Sequence, residues 1–199
     1  MKKSKAETAE THRRIVEIAA QAFKQKGIDA TGVAEIMAEA GLTHGAFYRH
    51  FTSKEALVAE AAGASMDVFV QAAQSAASKG STAFVKYLQG YLTSEFRDGV
   101  LGGCPVIQLG SELARADTSV REGIDKGLQQ LIDIAVNLSE DKSRAYAQDD
   151  AIFTLSALIG AITMSRLMED PKLSKHVLEV TNHRLLKQSS KSGSAKASR

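Results

Sequence analysis

The sequence predicts an all-α protein of about nine helices, three N-terminal ones followed by a larger helical body. Three observations predict it. The 199 residues hold two prolines, Pro105 and Pro171, and no tryptophan, against abundant Ala, Leu, Glu and Lys, a balance that favours helix over strand. Apolar residues recur at spacings of three and four along most of the chain, the period of a helix with one buried face. Gly, Ser, Thr and Pro fall between those stretches, where helices start and stop.

Residues 8–26 place Ile15, Ile18, Ala19, Ala22 and Phe23 on one face, and Gly27 follows as a C-cap. Thr31 is a candidate N-cap for a short second helix with Val33, Ile36 and Met37 inward, ending at Gly41. A third begins near Thr43 and runs through Phe51, with Phe47 and Phe51 four apart. Ser53 caps a long fourth helix reaching about Ser78. Beyond Gly80 come Phe84, Tyr87, Leu88, Tyr91 and Leu92 on an amphipathic helix, then a break from Gly99 to Gly103. Pro105 suits the first position of the next helix, to about Ala114. Further helices are expected from Asp117 or Thr118 to Leu138, over 146–168, and from Pro171 to Lys187. The tail from Ser189 carries no core former and reads as disordered.

Composition excludes some classes. With the single cysteine Cys104 no intrachain disulfide can form, so a secreted disulfide scaffold is excluded and a cytoplasmic location is expected. No apolar stretch follows the basic Met1-Lys2-Lys3-Ser4-Lys5, so no targeting segment is read there. The apolar run 151–167 is interrupted by Ser, Thr and Arg166 and reads as a buried helix rather than a membrane span. The net charge of +2 divides unevenly: +2 over residues 1–55, −4 over 56–186 and +4 over 187–199. A basic end on an acidic body admits an anionic partner there.

Residues 31–54 read as helix, glycine turn and second short helix, a helix-turn-helix. Its second helix carries Thr43, His44, Ala46, Tyr48, Arg49 and His50 within eight residues, while Phe47 and Phe51 face a core. Thr43 at the helix start can bond a phosphate. His44 can reach a purine acceptor and the Ala46 methyl a thymine methyl. Tyr48, His50 and Lys54 are spaced to grip phosphates. From spacing alone, DNA binding and a merely solvated short helix remain about equal readings.

The pattern Gly27, Thr31, Ile36, Ala40-Gly41, Thr43, Gly45, Phe47-Tyr48, His50-Phe51, Ser53-Lys54-Glu55 and Leu57 resembles the DNA-binding domain of the TetR family of bacterial transcriptional repressors. The resemblance covers about residues 10–60. It implies an N-terminal three-helix helix-turn-helix domain followed by a helical ligand-binding and dimerisation domain. It also implies phosphate contacts at Thr31, Thr43, Tyr48, His50 and Lys54, and base edges at His44, Gly45 and Ala46. Arg49 could serve either purpose, and His44 departs from the lysine often found there. The boundaries expected are 1–53 for the DNA-binding domain, 54–188 for the effector-binding and dimerisation domain, and 189–199 for the basic tail. The partners implied are double-stranded operator DNA, a second copy of the chain, and a small lipophilic or electrophilic effector, with no cofactor, metal or membrane.

Ala151, Ser156, Gly160, Ala161 and Ser165 form a small-residue series on the helix at 146–168, which suits either close intersubunit packing or intramolecular core. The family resemblance favours the dimer, since that family uses its last two long helices this way. An effector pocket is expected among Phe69, Phe84, Tyr87, Tyr91, Cys104, Ile107 and Phe153, although aromatic stripes at helical spacing are more often plain core. Cys104 precedes a helix and could act as a thiol sensor or sit buried as a small hydrophobe. The run from Gly103-Cys104 through Ser111-Glu112-Leu113 to Asp125-Lys126-Gly127 resembles the electrophile-responsive branch of the family. A cysteine enzyme using Cys104 with His176 or His183, and a helical adaptor that binds no DNA, are the competing readings; no catalytic residue is assigned.

Overall fold

The computed structural model describes residues 4–99, 103–139 and 143–194. Nine α-helices and one 3₁₀ helix make up the secondary structure of these residues. They are α1 (Lys5–Lys26), α2 (Val33–Glu39), the 3₁₀ helix (His44–Arg49), α3 (Lys54–Ala77), α4 (Ser81–Tyr91), α5 (Ser94–Arg97), α6 (Pro105–Arg115), α7 (Thr118–Leu138), α8 (Arg144–Leu167) and α9 (Pro171–Ser194). The all-α architecture expected from composition and periodicity is therefore present.

Local chemistry accounts for the ends. Ser4 and Glu7 form a reciprocal capping box: Ser4 Oγ accepts from the Glu7 N–H at 3.1 Å, and Glu7 Oε2 accepts from the Ser4 N–H at 2.6 Å. That starts α1 three residues earlier than its apolar face indicates. The helix stops at Gly27, whose φ of +88° is open to glycine and strained for other residues. Ser53 Oγ accepts from the Ala56 N–H at 3.2 Å and opens α3. Pro105 stands at the start of α6, where its missing N–H costs nothing. The short α5, capped by Thr93, has no counterpart in the periodicity, because four residues are too few to show one.

The chain forms two compact units. One is drawn from Met1–Phe69 and Cys104–Leu128, the other from Val70–Gly103 and Gln129–Arg199. In the first unit, Ile15, Ala19 and Phe23 of α1, Ile36 and Met37 of α2, and Phe47 share a core with Leu57, Ala61 and Met66 of α3. Leu109 and Leu113 bring α6 onto α1. At Gly127 of α7 an added Cβ would lie 2.9 Å from Met66 Cβ, so the glycine permits a close helix approach. In the second unit α8 and α9 pack side by side. Ser165 and Ser174 lock them: Ser174 Oγ donates to the Ser165 carbonyl at 2.5 Å, and Ser165 Oγ lies 2.9 Å from the Ser174 carbonyl and hydroxyl oxygens. Val136, Ala147 and Ala151 form a smaller cluster there.

Three expectations need correction. The helix at 146–168 is buried on one side only, since Ile152, Phe153, Met164 and Leu167 of α8 are exposed. Its small residues divide accordingly. Ala151, Ala161 and Ser165 are taken up inside their own unit, Ser165 at 1% exposure, while Ser156 faces out and Gly160 is half-buried. Small size at helical spacing marks close packing without saying which side it serves. The final helix continues to Ser194, so the segment expected to be disordered from Ser189 is helical as far as that residue. Residues 195–199 lie outside the described residues.

Candidate nucleic-acid interface

The second helix of the helix-turn-helix is a 3₁₀ helix rather than an α-helix. Gly41, at φ +68°, turns the chain after α2, and Thr43 in extended conformation starts the 3₁₀ segment. Its N-cap role uses no side-chain hydrogen bond, so the Thr43 hydroxyl is not spent on the cap. Phe47 is the anchor: it is buried, and its ring stacks on Phe51 with centroids 5.4 Å apart. Burying that one residue turns the remaining side chains outward. Thr43, His44, Gly45, Tyr48 and Arg49 are exposed, and Ala46 is half-buried.

Tyr48 is 68% exposed, unusual for an aromatic side chain in a unit with an adequate core. It is held edge-on by its neighbours, with Phe47 at 5.3 Å and His44 at 6.2 Å between centroids. His50 is half-buried and tilted against His12, 5.9 Å away, and Phe51, 6.3 Å away. His12 in turn stacks on Phe51 at 4.4 Å and pairs through Nε2 with Glu60 at 2.6 Å.

Two predicted phosphate contacts behave differently. Thr31 is completely buried, and its hydroxyl donates to the Gly27 carbonyl at 2.7 Å. It fastens the turn between α1 and α2 and presents nothing to a phosphate. Lys54 is half-buried with Nζ donating to the Ile28 carbonyl at 2.7 Å, so it must exchange that bond to reach an anion.

Other residues support the site without having stood out in the sequence. Arg14 donates to the Ala40 carbonyl at 2.6 Å and caps the C-terminal end of α2 from α1. Glu112 of α6 accepts from the Ile28 N–H at 2.8 Å and the Asp29 N–H at 3.2 Å. Lys26 and Glu35 form an ion pair across the same turn. None of these has a local signal, because each partner is remote or is a backbone atom.

The residues expected to line an effector pocket fall in both units. In the first, Phe69, Cys104 and Ile107 are half-buried. Burial holds the Lys24 ammonium below lysine's ordinary value, and the neighbouring Cys104 acts against that shift. On α6, one turn beyond Cys104, the buried Oε1 of Gln108 has no hydrogen-bond partner among the described residues. In the second unit Phe84, Tyr87, Tyr91 and Phe96 form a chain of ring contacts, closed at its centre by a hydrogen bond between the Tyr87 and Tyr91 hydroxyls. Phe153 stands apart from them in exposure: at 53% it belongs to the outer face of α8 and not to an interior pocket. His176 and His183, named for the enzyme reading, are exposed on α9, and His176 sits 3.9 Å from Glu179.

Residues 15–61 match the model of a family described as bacterial regulatory proteins, tetR family. The HTH-type transcriptional regulator AcrR of Shigella flexneri is 41% identical over 59 residues, 30% of this chain. The match spans 27% of the length of that relative. Over most of its length the chain is similar in fold to the reduced form of NemR from E. coli, with a TM-score of 0.75 at 19% identity, covering 88% of this chain and 95% of that one. A transcriptional regulator of the TetR family from Cytophaga hutchinsonii gives a TM-score of 0.73 at 20% identity, covering 94% and 98%.

Proposed function

We propose that the chain, whose residues 15–61 match the tetR family of bacterial regulatory proteins, is a homodimeric transcriptional repressor of the cytoplasm. It binds a palindromic operator and is released by a small-molecule inducer. The observation that carries this reading is the 3₁₀ helix, which buries Phe47 and turns Thr43, His44, Gly45, Tyr48 and Arg49 to solvent. In the major groove, Gly45 and Ala46 let the backbone come close to the base edges, with His44 beside them. Thr43, Tyr48 and His50 flank that strip and hold phosphates. Lys54 joins them once it leaves the Ile28 carbonyl.

One such element binds weakly, and a second copy makes the next contact nearly intramolecular. The exposed apolar face supports that copy: Phe153, Met164 and Leu167 on α8, with Leu173 and Val180 on α9, stand in water in the isolated chain. Leu167 alone is 79% exposed. Large apolar side chains left exposed along two neighbouring helices support an interface there. The double substitution Phe153→Glu with Leu167→Glu should yield a monomer by light scattering, with helicity retained. An inducer acts by binding the shape that cannot span both half-sites more tightly than the one that can.

The test is a mobility shift on the DNA upstream of the chain's own gene, repeated across salt concentrations. Operator affinity should fall steeply as salt rises, because each phosphate contact releases counterions. Tyr48→Ala should lower affinity on all sequences, whereas Ala46→Ser should change sequence preference. Unchanged binding by Tyr48→Ala at moderate salt would remove this docking mode.

A further inference from the structure

The turn between α1 and α2 is held from three directions. The Gly27 carbonyl accepts from Thr31 at 2.7 Å. The Ile28 carbonyl accepts from Lys54, at the start of α3, at 2.7 Å. The Ile28 and Asp29 N–H groups both donate to one oxygen of Glu112, at 2.8 and 3.2 Å. Glu112 comes from α6, more than eighty residues along the chain. A carboxylate accepting two backbone N–H groups makes charge-assisted bonds, about twice as strong as neutral ones. Gly27 is fitted to this carboxylate, because a Cβ there would stand 3.2 Å from Glu112 Oε1.

The peptide of Ile28 is thus clamped at both ends, its N–H by α6 and its carbonyl by α3. Five residues later, at Val33, the chain enters α2, and after Gly41 the 3₁₀ helix. We infer that Glu112 is a positioning residue for operator binding: it ties the helix-turn-helix to α6 and so fixes the attitude at which the 3₁₀ helix is presented. It touches no base or phosphate and acts through the Ile28 and Asp29 amides. This rests on the operator-binding reading, and α6 becomes the element whose displacement would loosen DNA recognition.

The sign of the effect separates positioning from electrostatics. Glu112 is an anion on a unit that meets DNA, so if only its charge mattered, removing it would tighten binding. Positioning requires the opposite. The probe is a fluorescent duplex selected from random sequence by the wild-type protein and read by anisotropy against a scrambled duplex. Failure of the wild type to select any duplex would sink the operator-binding reading itself, independently of Glu112. Given such a duplex, Glu112→Ala should weaken binding to it at least tenfold. Its binding to the scrambled duplex and its salt slope should match the wild type. Amide exchange at Ile28 and Asp29 should accelerate. Glu112→Gln, which keeps an acceptor at the same reach, should recover most of the affinity. Glu112→Asp, which keeps the charge but is one methylene shorter, should behave like Ala and serves as the second variant if Glu112→Ala does not fold. Selected-duplex affinity in Glu112→Ala or Glu112→Asp equal to or tighter than wild type would overturn the inference. Equal weakening on both duplexes would overturn it too.

Discussion

Thr31→Val separates a buried structural hydroxyl from a phosphate ligand. Valine has nearly the volume of threonine, and the site is fully buried, so the change removes one hydroxyl and leaves the packing. The lost bond is the 2.7 Å contact from Thr31 Oγ1 to the Gly27 carbonyl. A net hydrogen bond contributes about 1 kcal/mol, and a buried acceptor left without its donor costs about 1–3 kcal/mol. The expected loss is therefore about 2 kcal/mol. For a chain of this size each kcal/mol moves Tm by about 2–4 °C, so Tm should drop by about 4–8 °C in a calorimetric scan. Thr31 is buried with its hydroxyl on the Gly27 carbonyl, so operator affinity should be that of the wild type when measured well below the melting transition. A variant that melts like the wild type while its operator affinity falls by about fivefold, the loss of one hydrogen bond, would refute the reasoning and restore Thr31 to the phosphate contacts.

Gly127→Ala should destabilise by about 1 kcal/mol in urea titration, because the new methyl meets Met66 Cβ at 2.9 Å and overpacking outweighs the helix-propensity gain. Gly90→Ala is the control: nothing lies within 4 Å of its added Cβ, so it should stabilise by up to about 1 kcal/mol. Gln108→Leu should raise Tm by about 2–4 °C, since it removes a buried acceptor that has no partner among the described residues. The Arg97 guanidinium beside Asp98 holds that carboxyl below the usual carboxylate range. A carboxyl lowered in the folded state contributes stability above its ordinary value and loses it as pH falls through the lowered one. The urea midpoint of Asp98→Asn should accordingly be lower than wild type at pH 7 and converge with it as pH falls and Asp98 protonates.

What could be read in the sequence follows the range of the forces involved. The apolar face of α1, the Gly27 stop, the Ser53 cap and Pro105 at the head of α6 are decided within one or two turns, and all appear in the structure. The Ser4–Glu7 box was equally local, and its Ser-x-x-Glu spacing was there to be read. Phe47 and Phe51 were assigned inward on spacing alone and are buried. A buried and an exposed threonine look alike in sequence, so nothing local to Thr31 signals its bond to the Gly27 carbonyl. Glu112 and Arg14 bind backbone atoms of remote turns, which no side-chain pattern encodes. On α8 the small residues gave a face without its direction: Ala161 and Ser165 turn inward, and the larger Phe153, Met164 and Leu167 are exposed.

A 3₁₀ helix advances about 2.0 Å per residue with three residues per turn, so His44–Arg49 covers about 12 Å, close to the width of the major groove. Its side chains align at intervals of three: position 45 with 48, and 46 with 49. Under the proposed operator-binding function, mutational libraries meant to change the preferred DNA sequence should therefore vary those pairs together. Randomising at intervals of four, as for an α-helix, would pair outward Gly45 with Arg49 across different ridges and miss combinations that share one line of sight.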